Sequence, residues 1–223
     1  MNKTVLVVAA HSDDEAIGCS GTMAHHVANG DDVHVIFMTD GVGARRGGGV
    51  TGKLRAAATE EACSLLGVKS HICHSFPDNM MDSVPVLNIT KVVENAILKI
   101  KPSTIYTHHY GDLNIDHSVT CQAVLTACRP QPGFPVREIY SFEVLSSTEW
   151  QHPGHGVFSP HVYVNIEKYI ELKKTALNIY GEEMRSHPHS RSIDNIIRLA
   201  AFRGNSVGCS YAEAFMLIRK IIS

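Results

Sequence analysis

Residues 5–21 read VLVVAAHSDDEAIGCSG. The first half is a Val-rich apolar run, the pattern of a strand buried on both faces of a parallel sheet. His11, Asp13, Asp14 and Glu15 then crowd into five residues before the chain turns apolar and glycine-dotted again. Neighbouring carboxylates repel each other and are costly to bury. In open α/β sheets, ligands bind beyond the carboxyl ends of the strands, which is where this cluster falls.

The pattern repeats outward from this stretch. Further strands are expected over 33–38, 71–75, 104–107, 137–143 and 162–165, and helices over 17–29, 54–66, 87–100 and 119–128. Gly30 and Gly67 stand where two of these helices should stop. Two or three helices are expected to finish the chain. Residues 41–52, GVGARRGGGVTG, read as a mobile glycine-rich loop. Strand–helix alternation with short connections predicts one α/β domain over 1–223, a mostly parallel sheet with helices on both faces. The polar residues at 11–15, 40–41, 76–79 and 108–117 all follow strands and should gather along one edge of it.

Composition bounds the function. With 44% hydrophobic and 19% charged residues among 223, the chain is globular rather than disordered. A net charge of -2 gives a nucleic acid no counterpart. The fourteen His favour a metal site. The six Cys form no C-x-x-C pair, which argues against a thiolate zinc knuckle. Cys19, Cys63, Cys121 and Cys128 fall in predicted helices and read as small buried apolar residues, which suits a reducing, cytoplasmic compartment. The opening MNKTVLVVAAH is too short and too soon interrupted by charge for a secretory leader. No stretch approaches the roughly 18 apolar residues of a membrane helix, so no membrane partner is expected.

His11 and Asp14, three apart at a strand-to-helix turn, suit a divalent metal, and zinc accepts such a pair. A cation would also relieve the crowding of Asp13 and Asp14. The alternative is plain helix capping, with Ser12 or Asp13 as N-cap and Glu15 in the first turn. A second loop, GDLNIDHSV at 111–119, places Asp116 and His117 at the start of a helix after the fourth strand, facing the first loop. His117 completes a His2Asp set, and three protein ligands with an open position are the pattern of a catalytic zinc. The alternative for Asp116 is helix capping, and for His117 a satisfied loop histidine.

The motif AHSDDEAIGCSGT resembles the A-H-P-D-D-E signature of the PIG-L/LmbE family of zinc-dependent de-N-acetylases, and DLNIDHS resembles its second motif. RAAATEEACSLLG at 55–67 and FRGNSVGCSYAEAF at 202–215 are similar to its later segments, in order, over nearly the whole chain. The resemblance implies a Rossmann-like fold and one zinc ion per chain, with another divalent metal as the alternative. It places His11, Asp14 and His117 at the metal ligands and Asp13 at the general base. Arg55 falls at a substrate-contacting arginine and Tyr211 at a tyrosine near the reacting carbonyl. It further implies a small amino-sugar substrate and a homo-oligomer.

Ser12 replaces the usual proline, and Asn114 stands where many members have His. Asn donates a hydrogen bond but shuttles no proton. Asn114 is therefore expected as a neutral donor to the oxyanion, with Asp13 moving the proton in both directions. His108, His109 and His155 are substitute carriers or plain loop histidines. Glu15 either braces the loop through hydrogen bonds or is a helix N-terminal acid. Arg45 and Arg46 meet a substrate anion or are solvated, and Trp150 stacks on a sugar or packs under its loop.

The activity expected is removal of an N-acyl group, N-acetyl above all, from an amino sugar or its conjugate, nucleotide-linked ones included. The alternatives are a non-catalytic metal- or sugar-binding module and an amidase on a non-sugar N-acyl conjugate. A nucleotide-binding dehydrogenase is disfavoured. The first loop lacks G-x-G-x-x-G, and its acids would repel a pyrophosphate.

Overall fold

The computed structural model describes residues 2–41 and 52–222. Arg45, Arg46 and nearly all of the glycine-rich loop lie outside the described residues. Among those described, seven strands form one sheet: β1 (Thr4–Ala9), β2 (Asp32–Thr39), β3 (Ser70–Phe76), β4 (Thr104–His108), β5 (Glu138–Phe142), β6 (Val162–Asn165) and β7 (Ala212–Lys220). Their order is β3-β2-β1-β4-β5-β7-β6. The first five are parallel, with Val5 opposite Val33 on one side and Thr104 on the other. β7 runs antiparallel between β5 and β6. The expectation of a mostly parallel α/β sheet is met.

The helices are α1 (Asp14–Gly18), α2 (Ser20–Ala28), α3 (Gly52–Leu65), α4 (Val86–Ile100), α5 (Ile115–Ala127), α6 (Ile170–Ile179) and α7 (Ile193–Asn205). Alternate residues of β1 serve opposite faces, as the pleat requires. Val5, Val7 and Ala9 join a core with Cys63 of α3, Leu177 of α6 and Ile196 of α7. Leu6 and Val8 join another with Ile89 and Val93 of α4 and Val124 of α5. Both faces are covered, so the apolar run reads as it should for a central strand. From β1 the chain winds outward to β2 and β3, then returns to β4 on β1's other side. That reversal opens a crevice between the carboxyl ends of β1 and β4.

Two expectations are corrected. Helices do not finish the chain: α6 and α7 are followed by β7, the longest strand of the sheet. Its sequence, AEAFMLIRK, is rich in helix formers, but propensity is a weak prior. Pairing on both sides and burial of Ala214 and Phe215 override it. The helix expected over 17–29 is two helices broken at Cys19. A buried ion pair, Lys173–Glu213 at 2.6 Å, sits at the break. Lys173 Nζ donates to the carbonyls of Ala16 (2.9 Å) and Ile17 (2.8 Å), while Glu213 accepts from the amides of Gly21 (3.0 Å) and Thr22 (2.7 Å). Helix ends leave such groups without intrahelical partners, and each ion meets the end whose partial charge suits it. Gly18 and Gly21 are needed there, because a Cβ would come 2.4 Å from the Phe142 ring and 2.8 Å from Ile166.

Cys19, Cys63, Cys121 and Cys128 are buried, as expected, and burial pushes their thiols up. Among the described residues no helix is long and apolar enough to cross a membrane.

Candidate active site

His11 stands in the turn after β1, and His117 stands in the first turn of α5, beyond β4. The sheet makes β1 and β4 neighbours, and this joins residues more than a hundred apart in sequence. His11 Nδ1, Asp14 Oδ2 and His117 Nε2 form a nearly equilateral triangle. Its edges are 3.2 Å from His11 to Asp14, 3.3 Å from Asp14 to His117 and 3.3 Å between the two imidazoles. A tetrahedral ion with bonds of about 2.0–2.2 Å needs donor separations of roughly 3.3–3.6 Å. All three residues are buried, and Asp14 Oδ1 has no hydrogen-bond partner. The donor set therefore fits a zinc-like divalent ion.

The far nitrogen of each imidazole faces a carboxylate. His11 Nε2 bonds Asp116 Oδ2 at 3.0 Å and lies 3.3 Å from Asp78 Oδ1. Asp116 is itself held by the amides of Asn79 (2.7 Å) and Met81 (2.9 Å), so it braces His11, and the cap of α5 is Asn114 instead. His117 Nδ1 lies 3.2 Å from Asp112 Oδ2, an ion-pair distance, though off the axis of a straight hydrogen bond. Asp112 also accepts from Thr148 Oγ1 (2.6 Å), the Asn114 amide (2.9 Å) and Ser147 Oγ. Carboxylates behind metal-binding imidazoles set ring orientation and raise basicity.

The electrostatics agree with a cation site. Burial opposes charge on His117, yet Asp14 and Asp112 push it up to about 9. Burial also opposes ionisation of Asp112, yet His117, Ser147 and Thr148 hold it down to about 2. A proton on His117 answers the same field that a metal ion would.

Asp13 has a strained backbone. Its φ of 124° lies in a region that non-glycine residues rarely adopt, at a cost of about 1–3 kcal/mol. Its neighbours impose it. Glu15 Oε2 accepts the Asp13 amide at 2.9 Å, and Glu15 Oε1 accepts from Tyr180 Oη at 2.8 Å. Glu15 thus braces the loop, and burial pushes its carboxyl up to about 7. On the other side, Arg55 donates to the Ser12 carbonyl (2.7 Å) and Ser12 Oγ (3.0 Å), and it pairs with Glu183. Asp13 stands at the N-cap position of α1 with Glu15 in the first turn, as the capping alternative has it, but the Asp13 side chain makes no cap and the Ser12 hydroxyl accepts from Arg55. The Asp13 carboxylate lies 3.5 Å from Arg55 Nη2 and 3.3 Å from Arg191 Nη2.

Asn114 is the N-cap of α5. Its Oδ1 accepts the Asp116 amide at 2.9 Å and its Nδ2 donates to Asn79 Oδ1 at 3.0 Å. His11, Asp13, Arg55, Asn114 and His117 line one cleft. Tyr211 is not brought there. It packs against Ile166, Ile170 and Ala200 beside the start of β7, two strands from β4. His108 accepts the Ala10 amide at 2.8 Å and stacks on His117 with centroids 3.9 Å apart. Burial pushes its imidazole down, and its Nε2 is already taken by the Ala10 amide. His109 bonds the Gly156 carbonyl, and Trp150 stands edge-on to His189, half-exposed and outside the cleft lining. A larger groove lined by Ile97, Leu98 and Phe134, with Glu94, Lys101 and Arg129 among its other residues, lies at the opposite edge of the sheet.

Sequence reasoning missed Asp78, Asp112, Glu183 and Arg191. Asp112 had a usable signal, a carboxylate five residues before His117 in the same loop. Arg191 and Glu183 had none, lying in a polar segment between α6 and α7. Asp112→Asn is expected to keep the fold and weaken metal affinity about 10–100-fold, measured by competition with a chelator. Unchanged affinity would mean that Asp112 serves only the loop.

Residues 6–128 match the model of the PIG-L family, described as GlcNAc-PI de-N-acetylase. The chain is 27% identical over 183 residues to the uncharacterized deacetylase YaiS of Escherichia coli K12, covering 78% of this chain and 89% of that protein. It is 26% identical over 192 residues to a probable N-acetyl-alpha-D-glucosaminyl L-malate deacetylase 2 of Bacillus cereus, covering 82% and 84%. The N,N'-diacetylchitobiose deacetylase of Pyrococcus horikoshii superposes with a TM-score of 0.79 at 22% identity, over 97% of this chain and 84% of that one.

Proposed function

Because the chain belongs to the PIG-L, or GlcNAc-PI de-N-acetylase, family, we propose that it is a metal-dependent hydrolase that removes an N-acetyl group from an amino sugar or its conjugate. The observation that carries this reading is the triangle of His11, Asp14 and His117 with the strained Asp13 beside it. A relative named as a probable N-acetyl-alpha-D-glucosaminyl L-malate deacetylase supports the substrate class, and an N,N'-diacetylchitobiose deacetylase shares the fold.

In this reading His11, Asp14 and His117 hold zinc, which supplies the positive charge that acidifies a water and polarises the amide carbonyl. Asp13 takes a proton from the attacking water as its oxygen bonds to the carbonyl carbon. It returns that proton to the nitrogen as the C–N bond breaks, leaving acetate and a free amine. The bracing by Glu15 and Arg55 keeps Asp13 at the cleft without the freedom of an ordinary loop residue. Asn114 contributes by fixing the start of α5, on which His117 stands.

The test is amine release from N-acetylglucosamine, N,N'-diacetylchitobiose, N-acetylglucosaminyl malate and a nucleotide-linked N-acetylglucosamine. Hydrolysis of at least one is expected, lost with a chelator and restored by zinc. A zinc-loaded protein silent on all of them would overturn the reading and favour a binding module.

A further inference from the structure

We propose that Arg191 is the donor that takes up the negative charge of the tetrahedral oxyanion; this rests on the hydrolysis assigned above. Arg191 enters the cleft from the segment between α6 and α7. Its Nη2 lies 3.3 Å from Asp13 Oδ2 and 3.6 Å from Asp14 Oδ1, between the proton carrier and a residue of the ligand triangle. None of these contacts is an aligned hydrogen bond: both Asp13 oxygens and Asp14 Oδ1 are buried without a hydrogen-bond partner, and so is Arg191 Nε. A buried donor left without an acceptor costs about 1–3 kcal/mol, and such groups in a native site call for a functional reason.

Two other cleft donors already have acceptors. Arg55 directs Nε and Nη2 at Ser12 and Nη1 at Glu183. Asn114 caps α5 and donates to Asn79. The backbone of Arg191 is fixed meanwhile, its amide donating to His189 Nδ1 at 3.0 Å and its carbonyl accepting from the Arg185 amide at 3.1 Å. The guanidinium is thus a held cation with donor capacity in reserve.

Charge movement in the reaction gives that reserve a use. Before attack, the nearer of the two negative charges beside Arg191 is the Asp13 carboxylate. As water adds to the carbonyl carbon, its proton goes to Asp13 and the carbonyl π pair goes to oxygen. The charge leaves Asp13 and appears on the substrate. Arg191 loses a poorly aligned partner and gains an oxyanion, to which a charge-assisted bond is short and strong. An interaction stronger in the transition state than in the ground state raises kcat rather than lowering KM. When the C–N bond breaks, the oxyanion pair reforms the carbonyl, Asp13 gives up its proton, and the charge on Asp13 returns.

Arg191→Met and Arg191→Lys test this on the zinc-loaded protein. Zinc content and KM should hold within a few-fold, while kcat falls about 10²–10³-fold for Met, on the scale of a lost oxyanion donor. Calorimetry adds a readout apart from turnover. Affinity for N-(methylphosphonyl)glucosamine, whose tetrahedral phosphorus carries the oxyanion, should fall in proportion to kcat/KM. Affinity for glucosamine should not. Arg191→Lys, which keeps the charge and most of the packing, should fall between wild type and Met, separating lost charge from misfolding. Three results overturn the proposal: a loss confined to KM, phosphonyl-analogue affinity intact in both variants, or that affinity lost in Asn114→Ala instead. An active wild type with an equally active Arg191→Met sinks this inference alone, whereas a wild type silent on every substrate takes the hydrolase reading down with it.

Discussion

His11→Ala and His117→Ala are each expected to purify with zinc reduced from about one ion per chain to near none, and with amine release at background. The expectation follows from the donor triangle, whose edges of 3.2–3.3 Å leave no slack for a missing corner. His11 is the more exacting of the two. Its Nε2 is bound to Asp116 and near Asp78, so its removal also leaves two buried carboxylates facing each other without the imidazole between them. Losing one partner of a buried charged set typically costs about 3–5 kcal/mol, so His11→Ala should lower the melting temperature more than His117→Ala. Elemental analysis and thermal unfolding of both variants check this. Wild-type metal content in both would remove the site from consideration.

Asp13→Asn is expected to retain zinc and lose about 10²–10⁴-fold in turnover, the usual scale for a missing general base. The two effects separate because Asp13 is outside the triangle: its carboxylate is turned toward Arg55 and Arg191, while Asp14 supplies the third donor atom. Folding should survive. Asn tolerates positive φ as well as Asp does, and the amide that Glu15 holds is backbone. Zinc content, kcat and a thermal melt on one preparation decide the matter. Loss of zinc rather than of turnover alone would exchange the roles of Asp13 and Asp14.

Much of the site was legible because its first half is local. His11, Asp13, Asp14 and Glu15 share one turn, and a turn constrains a few neighbouring residues whatever the rest of the chain does. Even there, chemistry read from residue types missed the mechanics. The bracing of Asp13 by Glu15 needs Tyr180, 165 residues away from Glu15, and the Arg55 clasp needs Glu183. Asn114 shows the converse. The sequence reading weighed it by its chemistry at a family position, whereas its place just before α5 made it the N-cap, a role that Asn fills well.

The sequence by itself determined the α/β alternation and the central, doubly buried β1, because side-chain period and apolar runs are properties of consecutive residues. It also determined that His11 and Asp14 share a turn. Only the tertiary structure decided which loops meet. His117 reaches His11 because β4 lies beside β1 rather than at the edge, and strand order follows from how both faces of the sheet are covered. β7 is a strand only because β5 and β6 flank it, against its own helix-forming composition. Arg191 is at the cleft for the same kind of reason: an arginine in a polar loop looks solvated until the fold brings that loop beside Asp13 and Asp14, and no period or spacing in the chain records that meeting.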